Sequence, residues 1–527
     1  MRYFNTEGCC KPDEHYMVNL SDRLENIKKM YVDRKKYFVI NRGRQYGKTT
    51  TLRTLEEYLK KDYVVLSLDF QEIGTIKFSN ELSFSKTFAE KLHRSLRDTD
   101  VPEKEELVKE LLKFKEKSED VGLDDLFECI RRMCECSSRP IVLMIDEVDS
   151  ASNNQVFLDF LAQLRAQYLK RDKLAAIHSV VLAGVYDIKN LKLKLRPSSE
   201  HQYNSPWNIA AKFKVNMNFS AKEIASMLEE YEKDYHIGMN ITMIAKEIFE
   251  YTSGYPVLVS AVCKYIDEDL QAEVKNPRDA WSKEGIVSAV KSILIDDTPL
   301  FESMIRHLND YPEMKQMFQA ILFQGNEFAY SPDVKEINLA CMFGYAAEKD
   351  GKVLIANRIF EMRLYNYFYS QEELTSAIVQ VAKRDKNYFI HNGQLDMDLV
   401  MEKFVVYFQD IYGQNSEQFL ENNGRKLFLL YLKPIINGVG NYYIETQTRD
   451  AKKTDIIVDY HGEQFIIEMK IWRGNEYNER GEQQLIDYLN YYHKEKGYLL
   501  SFNFNQKKET GVKKIEVNGK VIIEAVV

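Results

Sequence analysis

The stretch that decides the fold of the N-terminal half runs from Tyr37 to Thr50 and reads YFVINRGRQYGKTT. Its first five residues predict a buried strand, and the segment TTLRTLEEYLKK (50–61) predicts a helix. A glycine-containing turn between a strand and a helix N-terminus presents backbone N–H groups to an anion. The stretch therefore predicts a phosphate-binding loop.

Residue types inside this loop suit a nucleotide site. Gly47 allows close backbone approach, Lys48 is expected to reach the β- and γ-phosphates, and Thr49 is expected to place its hydroxyl on Mg²⁺. The usual pattern has a glycine where this chain has Arg42, so a turn with an accidental Lys-Thr pair is the alternative interpretation. The residues expected to bind ATP are Gly43, Arg44, Gln45, Tyr46, Gly47, Lys48, Thr49, Thr50 and Asp146.

A second segment, RPIVLMIDEVDS (139–150), supports the ATPase interpretation. It is an apolar strand that delivers two acids at its carboxyl end, where an ATPase holds Mg²⁺ and orients the attacking water. We expect Asp146 to bind the metal and Glu147 to act as the catalytic base. An acidic pair at a solvated loop start is the alternative, but its position roughly 100 residues after the Lys-Thr loop favours an ATPase.

Alternating β-rich and helical patterns between residues 37 and 219 predict an α/β fold with a parallel sheet. The five predicted strands are Tyr37–Asn41, Tyr63–Asp69, Ile141–Asp146, Ser179–Gly184 and Phe213–Met217. The chain then divides into an ATPase domain (1–219), a helical lid (220–298), a winged-helix module (299–372) and a C-terminal α/β domain (373–527). The lid prediction depends on the serine cap that opens SAKEIASMLEEY and on Pro256, and the winged-helix prediction depends on a hairpin turn at Asp350-Gly351.

The C-terminal domain contains a second group of charged residues. Asp455 begins the predicted strand DIIVDY, a turn follows at His461-Gly462, and QFIIEMKIW returns with Glu468 and Lys470 on one face. We expect Asp455 and Glu468 to bind Mg²⁺ or Mn²⁺, which polarises a phosphodiester and activates its water. Lys470 is expected to position or deprotonate that water. Alternating charges on a solvent-facing hairpin are the alternative.

Three further polar residues are predicted to support this metal site. Gln484 and Tyr488 are four residues apart in the helical pattern GEQQLIDYLNYY and so share one face. Glu421 lies in an upstream helical pattern. These groups are expected to serve the metal's outer shell or the substrate phosphate.

Together these segments resemble a family of bacterial proteins in which an AAA-like ATPase domain is fused to a PD-(D/E)XK nuclease-like domain. The likeness extends from YFNTEGCCKPDEHYMV through GRQYGKTTTL and VLMIDEVD to TRDAKKTDIIVDYHGEQFIIEMKIWRG and QQLIDYL. It implies a P-loop NTPase fold of the AAA-like type, followed by a restriction-endonuclease-like α/β domain. It also implies that the family commonly lacks the first glycine of the loop, so that Arg42 at this position is usual. Gln484 and Tyr488 would then correspond to the Gln-x-x-x-Tyr motif of RecB-like nucleases.

Composition limits the remaining function classes. The formal net charge of −8 gives no global attraction to nucleic acid, so DNA contacts must come from local basic surface. No run of about 18 apolar residues occurs, so a membrane partner is not expected. Seven scattered cysteines, an odd number, suit reduced thiols in a cytoplasmic protein.

The sequence therefore predicts an enzyme: an ATPase coupled to a metal-dependent nuclease that acts on DNA, in defence or mobile-element control. The expected cofactors are ATP and Mg²⁺, with Mn²⁺ as the alternative at the nuclease site. A homo-oligomer is expected by analogy with AAA-like relatives. Two alternatives stay open: a nucleotide-switched DNA-binding or signalling protein whose nuclease fold does not cleave, and a P-loop scaffold that binds a protein partner.

Overall fold

Four of the five predicted strands between residues 37 and 219 are present in the structure, a computed structural model. They are β1 (Tyr37–Asn41), β2 (Val64–Asp69), β3 (Ile141–Asp146) and β4 (Ser179–Gly184). The order is β1-β4-β3-β2 and every neighbouring pair is parallel. Both central strands are buried along their whole length, which requires helices on both faces of the sheet.

The structure describes most, but not all, of the chain. The structure describes residues 2–97, 99, 101–116, 121–151, 154–185, 207–324, 326–373, 382–384, 386–412, 421–436, 440–447, 453–471, 475–503 and 509–527. Within these ranges, the side chains of residues 324, 372–373, 411–412, 421–423, 425, 441–447, 453–455, 471, 475–480 and 491 are outside the description. The chain forms two units: a first unit (1–305, 331–347 and 355–359) and a second unit (306–330, 348–354 and 360–527).

Helices of the first unit alternate with its strands and then continue into an all-helical segment. They are Ser21–Ile27, Lys48–Leu59, Glu81–Arg97, Lys104–Glu116, Leu123–Cys136, Gln155–Lys170, Ala221–Tyr235, Ile241–Thr252, Pro256–Tyr265 and Lys283–Ile295. A phenylalanine cluster fills the core on one face of the sheet, where Phe70, Phe84, Phe88 and Phe160 are each fully buried. Their rings meet in edge-on and tilted pairs, the arrangement that aromatic quadrupoles favour.

The prediction of a fifth strand at Phe213–Met217 is wrong. This segment has the expected alternation, since Phe213, Val215 and Met217 are buried, but it has no strand pairing. Only Ala211 forms an isolated bridge to β1, opposite Phe38. The backbone beyond it bonds to a side chain instead, because the Tyr31 hydroxyl donates to the Lys212 carbonyl and accepts from the Lys214 N–H. Alternating burial reports which side chains face the core and not whether the backbone pairs.

The helical segment after residue 220 begins as the sequence predicts. Ser220 caps helix Ala221–Tyr235 by accepting from the Glu223 N–H, and the Glu223 carboxylate accepts from the Ser220 N–H. Helix Pro256–Tyr265 follows Gly254, which has a positive φ of 70°. A Cβ at Gly254 would lie 1.8 Å from the Phe219 carbonyl oxygen, so this turn requires glycine.

The elements behind the winged-helix prediction are present. Helices Pro299–Asp310, Pro312–Gln324, Lys335–Met342 and Arg358–Glu373 accompany three short strands, β5 (Phe328–Ala329), β6 (Ala346–Lys349) and β7 (Lys352–Ile355). The order of this small sheet is β5-β7-β6. Asp350 and Gly351 join β6 to β7 with φ values of 53° and 77°, the two positive values that a type I′ hairpin turn requires.

The second unit contains a mixed sheet of six strands in the order β10-β11-β12-β13-β15-β14. The strands are β10 (Asn441–Gln447), β11 (Lys453–Tyr460), β12 (Glu463–Ile471), β13 (Lys496–Phe502), β14 (Gly511–Val517) and β15 (Lys520–Val526). A small hairpin, β8 (Ile390–His391) and β9 (Gln394–Leu395), precedes them, and the helices between β9 and β13 are Met397–Tyr412, Glu421–Ile436 and Asn475–Tyr491. β12 and β13 are parallel, and helix Asn475–Tyr491 makes the crossover between them.

Two expectations from composition can be compared with this fold. Among the described residues, no helix is both long enough and apolar enough to cross a membrane. All seven cysteines lie within the described ranges, and none of them is paired in a disulfide.

Leu182, in the middle of β4, provides a test of the core. Its side chain is fully buried, so Leu182→Ala is expected to lower the free energy of unfolding of the first unit by about 2–5 kcal/mol, through lost burial and a residual cavity. Chemical denaturation followed by tryptophan fluorescence measures the shift. Leu169→Ala is the matched control, because this leucine is 61% exposed and its loss is expected to cost under about 0.5 kcal/mol. Equal shifts for the two variants would contradict the described packing of β4.

Candidate functional site

The residues predicted to bind nucleotide meet at one edge of the parallel sheet. β1 ends at Asn41 and leads into the loop, while β3 ends at Asp146. β4 lies between these two strands, and the three carboxyl ends coincide because all the pairings are parallel. Ligands of open α/β sheets bind at this edge. The sheet topology therefore brings the two predicted ATPase motifs together.

The loop that follows β1 has the backbone of an anion cradle. Helix Lys48–Leu59 begins directly after Gly47, which has a φ of 71°, and Gln45 also lies in the left-handed region with a φ of 57°. Successive residues of opposite handedness turn backbone N–H groups toward a common point. The helix N-terminus adds its own free N–H groups and the positive end of the helix dipole.

Arg42 occupies the position of the missing first glycine without filling the loop. Its guanidinium lies over the Phe213 ring, 5.7 Å from the centroid, and donates to the Asn41 carbonyl at 2.9 Å. The side chain is therefore engaged outside the loop. This contact explains physically why a large residue is accepted where the usual pattern has glycine.

Lys48 is buried within the loop, with only 6% of its surface exposed. Its ammonium donates to the carbonyl oxygens of Arg42 at 3.0 Å and Gly43 at 2.9 Å. Burial lowers the pKa of Lys48, while the nearby carboxylates of Glu147 and Asp149 act in the opposite direction. A buried cation ringed by acceptors and acids is suited to neutralise phosphate charge.

Thr49 and Asp146 are in direct contact. The Thr49 hydroxyl donates to Asp146 Oδ2 at 2.7 Å, and Asp146 Oδ1 accepts the Glu147 N–H at 2.9 Å. A hydroxyl oxygen and a carboxylate oxygen held this close form a donor set of the hard type that Mg²⁺ prefers. These two residues therefore fit the metal role predicted for them.

Glu147 follows β3 in an unusual conformation, with a φ of 52°. Such a conformation is uncommon for a non-glycine residue and concentrates at functional sites. Burial raises the pKa of Glu147; the Lys48 ammonium opposes this shift, while Asp146, Asp149 and Asp69 add to it. A carboxylate with an elevated pKa beside the metal position is suited to accept a proton from water.

The remaining loop residues have distinct surroundings. Gly43 is required by packing, because a Cβ there would lie 2.2 Å from the Phe343 carbonyl oxygen. Tyr46 is buried, Arg44 is exposed, and Thr50 accepts the Cys10 N–H at 3.1 Å. Residues 186–206, which follow β4, lie outside the described residues.

Two acids of this site escape prediction from the sequence. Asp69 ends β2 and pairs in register with Asp146, and its pKa is raised by burial and by the Asp146 charge. Asp149 accepts the Val185 N–H, which ties the segment after β3 to the end of β4. The signal for Asp69 was its place at the carboxyl end of an apolar strand. Its closeness to Asp146 depends on strand order, which the sequence does not reveal.

Comparison with known protein families decides the identity of this part of the chain. A family model described as an AAA-like domain matches residues 24–371, more than half of the 527 residues. The chain belongs to the AAA-like domain family. The matched range contains the whole loop, both acids of the ATPase motif and the helical segment that follows.

Several solved structures match the chain at low sequence identity. They include the Walker-type ATPase PABY2304 of Pyrococcus abyssi, with 14% identity over 69% of this chain and 99% of that chain and a TM-score of 0.45. The ORC2 protein of Aeropyrum pernix shares 14% identity over 68% of this chain and 95% of that chain, with a TM-score of 0.40. The Cdc6p protein of Pyrobaculum aerophilum shares 12% over 70% and 97%, with a TM-score of 0.34. No curated protein matches the sequence.

The C-terminal charged group lies beyond the AAA-like domain match. Glu468 and Lys470 are both on β12, and the Lys470 ammonium lies 2.8 Å from Glu468 Oε1. The Glu468 side chain has no exposed surface and Lys470 has 17%. The alternation of the strand predicts that both residues share one face, and helix Asn475–Tyr491 covers that face. A Cβ at Gly481 of this helix would lie 3.3 Å from Lys470 Cγ.

The three supporting residues and Asp455 have different outcomes. Gln484 donates to the Tyr488 hydroxyl at 2.8 Å, which confirms that they share one helix face, and Tyr488 is buried. The backbone of Asp455 lies in β11, and the register that pairs Ile456 with Ile467, continued by one residue, places Asp455 opposite Glu468. The side chains of Asp455 and Glu421 are outside the described residues.

Metal ligation in the second unit therefore stays a prediction. Among the described residues, no group of three His, Cys, Asp or Glu side chains is placed to hold a metal ion. The Asp455 side chain is not among these described residues. The described residues show a buried carboxylate with its lysine partner on β12, and a hydrogen-bonded Gln484–Tyr488 pair on the covering helix.

The raised pKa of Glu147 predicts a pH-dependent stability. The folded state holds the proton more tightly than the unfolded state, so the stability linked to this proton is present at low pH and is lost as pH rises through the folded-state pKa, above 4.5. Glu147→Gln removes the charge that burial disfavours. The variant is expected to be more stable than the unaltered protein at pH 7, with a difference that shrinks as the pH falls toward 4.5.

Urea denaturation between pH 5 and pH 8 measures this difference. Glu229→Gln, which neutralises an exposed carboxylate on helix Ala221–Tyr235, is the control and is expected to change little. A Glu147→Gln protein that is less stable at pH 7, or whose advantage does not depend on pH, would contradict the assigned environment.

Proposed function

We propose that this protein binds and hydrolyses ATP with Mg²⁺ in its AAA-like domain, and that its C-terminal domain is a metal-dependent nuclease acting on DNA. Family membership supports the first part. The observation that carries it is the 2.7 Å hydrogen bond between Thr49 and Asp146, beside a buried Lys48. ATP, Mg²⁺, DNA and assembly into a homo-oligomer all belong to the proposal.

The proposed hydrolysis assigns one task to each residue of the site. Backbone N–H groups of residues 43–50 bind the phosphates, and Lys48 offsets the charge of the β- and γ-phosphates. Thr49 and Asp146 would hold Mg²⁺, which supplies charge neutralisation at the phosphate oxygens. Glu147 orients the attacking water and accepts its proton, a role that a raised pKa supports because the base is then matched more closely to neutral pH.

Two substitutions separate nucleotide binding from hydrolysis. Lys48→Ala is expected to weaken MgATP binding at least tenfold, because a buried cation facing the phosphates is lost. Glu147→Gln is expected to keep the affinity within about threefold and to lower the hydrolysis rate by roughly 10²- to 10⁴-fold, the range of a lost general base. Calorimetry and phosphate release measure the two quantities. Lys61→Ala, an exposed lysine after the same helix, is the control. Unchanged nucleotide affinity in Lys48→Ala would refute the loop assignment.

The nuclease part is supported by the arrangement around β12. Glu468 and Lys470 are two residues apart on a central strand, and their charged groups lie 2.8 Å from each other. Metal-assisted phosphodiester hydrolysis needs a metal ligand with a base or a positive charge beside it, and this pair would supply both. The pairing of Ile456 with Ile467 supports this proposal, because continuing the register by one residue sets Asp455, the second proposed metal ligand, opposite Glu468. The Gln484–Tyr488 pair lies on the helix that covers this face and supplies further polar groups.

The same sheet contains a matched control for this proposal. Lys513 on β14 contacts buried Glu524 on β15 at 2.7 Å, just as Lys470 contacts Glu468 at 2.8 Å. Lys470→Ala is expected to lower cleavage of plasmid DNA in MgCl₂ or MnCl₂ by 10²-fold or more, because the group that positions the water is lost. Lys513→Ala also leaves a buried glutamate without its lysine but is expected to cleave normally. Equal cleavage by Lys470→Ala and unaltered protein would refute the assignment.

One observation favours the alternative, a nucleotide-switched DNA-binding or signalling protein with a non-cleaving nuclease fold. The Glu468 carboxylate is completely buried, so a metal ion and a phosphodiester reach it only after the covering groups move. The two functions differ in a single assay. Metal-independent DNA binding that responds to ATP, without cleavage in either metal, would support the alternative.

A further inference from the structure

Tyr255 contacts the backbone of the phosphate-binding loop from the helical segment of the first unit. Its hydroxyl donates to the Arg44 carbonyl oxygen at 2.8 Å. Its ring meets the Tyr46 ring edge-on, with the centroids 4.4 Å apart. Tyr255 is only 1% exposed. One side chain from outside the loop therefore holds two successive parts of it.

The position of Tyr255 is fixed by its own surroundings. It is the cap residue before helix Pro256–Tyr265, where proline at the first position starts the helix. Gly254 before it leaves no room for a side chain, since a Cβ would overlap the Phe219 carbonyl, and the Gly254 carbonyl accepts the Phe219 N–H at 2.8 Å. The hydroxyl is thus delivered by a rigid turn and not by a mobile loop.

The Arg44 carbonyl shares one peptide group with the Gln45 N–H. In a planar trans peptide these two groups point in opposite directions. Holding the carbonyl against Tyr255 therefore directs the Gln45 N–H to the other side of the loop backbone. Gln45 has a φ of 57°, a conformation that is strained in a non-glycine residue and persists only where its surroundings impose it. The bond from Tyr255 is one such constraint.

A second contact closes the space behind the loop. The Phe343–Gly344 turn lies against it, because a Cβ at Gly43 would be 2.2 Å from the Phe343 carbonyl oxygen. A Cβ at Gly344 would in turn be 2.7 Å from the Tyr46 ring and 3.3 Å from the Tyr255 ring. The two rings and the turn are packed without spare volume, so the loop backbone has little freedom to move outward.

We propose that Tyr255 is a positioning residue for the phosphate-binding loop: its hydroxyl fixes the Arg44–Gln45 peptide so that the Gln45 N–H is presented to the nucleotide phosphates. The inference rests on the proposed ATP binding and extends it to a residue that touches no ligand. Loss of the hydroxyl lets this peptide rotate, and the cradle then offers one donor fewer to the anion.

Tyr255→Phe tests this role because it removes the hydroxyl and keeps the ring. The matched control is Tyr37→Phe, since the Tyr37 hydroxyl is also buried and also donates to a backbone carbonyl, that of Ile177 at 2.9 Å, at the opposite end of β1. Calorimetry with MgATP and with sodium tripolyphosphate, on the full chain, measures affinity. Thermal unfolding of each protein measures stability.

Tyr255→Phe is expected to lower the affinity for both ligands by roughly three- to tenfold, which is the effect of losing one hydrogen bond. Tyr37→Phe is expected to bind both ligands as tightly as the unaltered protein. The two variants are expected to lose similar thermal stability. Equal affinities in Tyr255→Phe and Tyr37→Phe would overturn the inference and leave the proposed ATP binding intact. Failure of the unaltered protein to bind MgATP would overturn both.

Discussion

The contact between Thr49 and Asp146 is the constraint on which the AAA-like domain depends. Thr49 lies at the start of the helix that follows β1, and Asp146 ends β3. These two strands are not neighbours, since β4 separates them. They meet because the three strands are parallel and end at one edge. Any change in strand order would separate the loop from the acids. The buried Lys48 depends on the same strand order, because a desolvated ammonium needs the Arg42 and Gly43 carbonyls and the acids at and after the end of β3 nearby.

Much of this site could be predicted from the sequence because its residues are set by local rules. β1, β3 and β4 have the predicted bounds, since each is an apolar run that turn-forming residues interrupt. Lys48 and Thr49 were predictable from spacing to the helix start. The strand at Phe213–Met217 was not, because its alternation arises from burial while the Tyr31 hydroxyl takes the backbone bonds. Asp69 was missed since only the β2–β3 register brings it to Asp146.

The C-terminal sheet illustrates another limit of local rules. Period-two alternation placed Glu468 and Lys470 on one face of a hairpin, and the 2.8 Å contact agrees with it. The same rule did not predict that this face is covered. The cover comes from the crossover helix, which the chain forms because β12 and the next strand in sequence, β13, are parallel. Gly481 was the sequence signal for this cover. A glycine inside a helix is unfavourable by itself, and here it leaves space for the Lys470 side chain.

Burial of the Glu468–Lys470 pair is better explained by chemistry than by stability. A buried ion pair contributes little net stability, and apolar residues of similar size often do as well or better. Its neighbours Ile466, Leu485 and Leu499 are apolar, so an apolar residue at position 468 would have continued this core. The Lys513–Glu524 pair differs, because its lysine is 62% exposed on the edge strand and shares its charge with solvent. The Glu468–Lys470 pair therefore has the less favourable environment of the two, a cost in stability that the proposed nuclease function would explain.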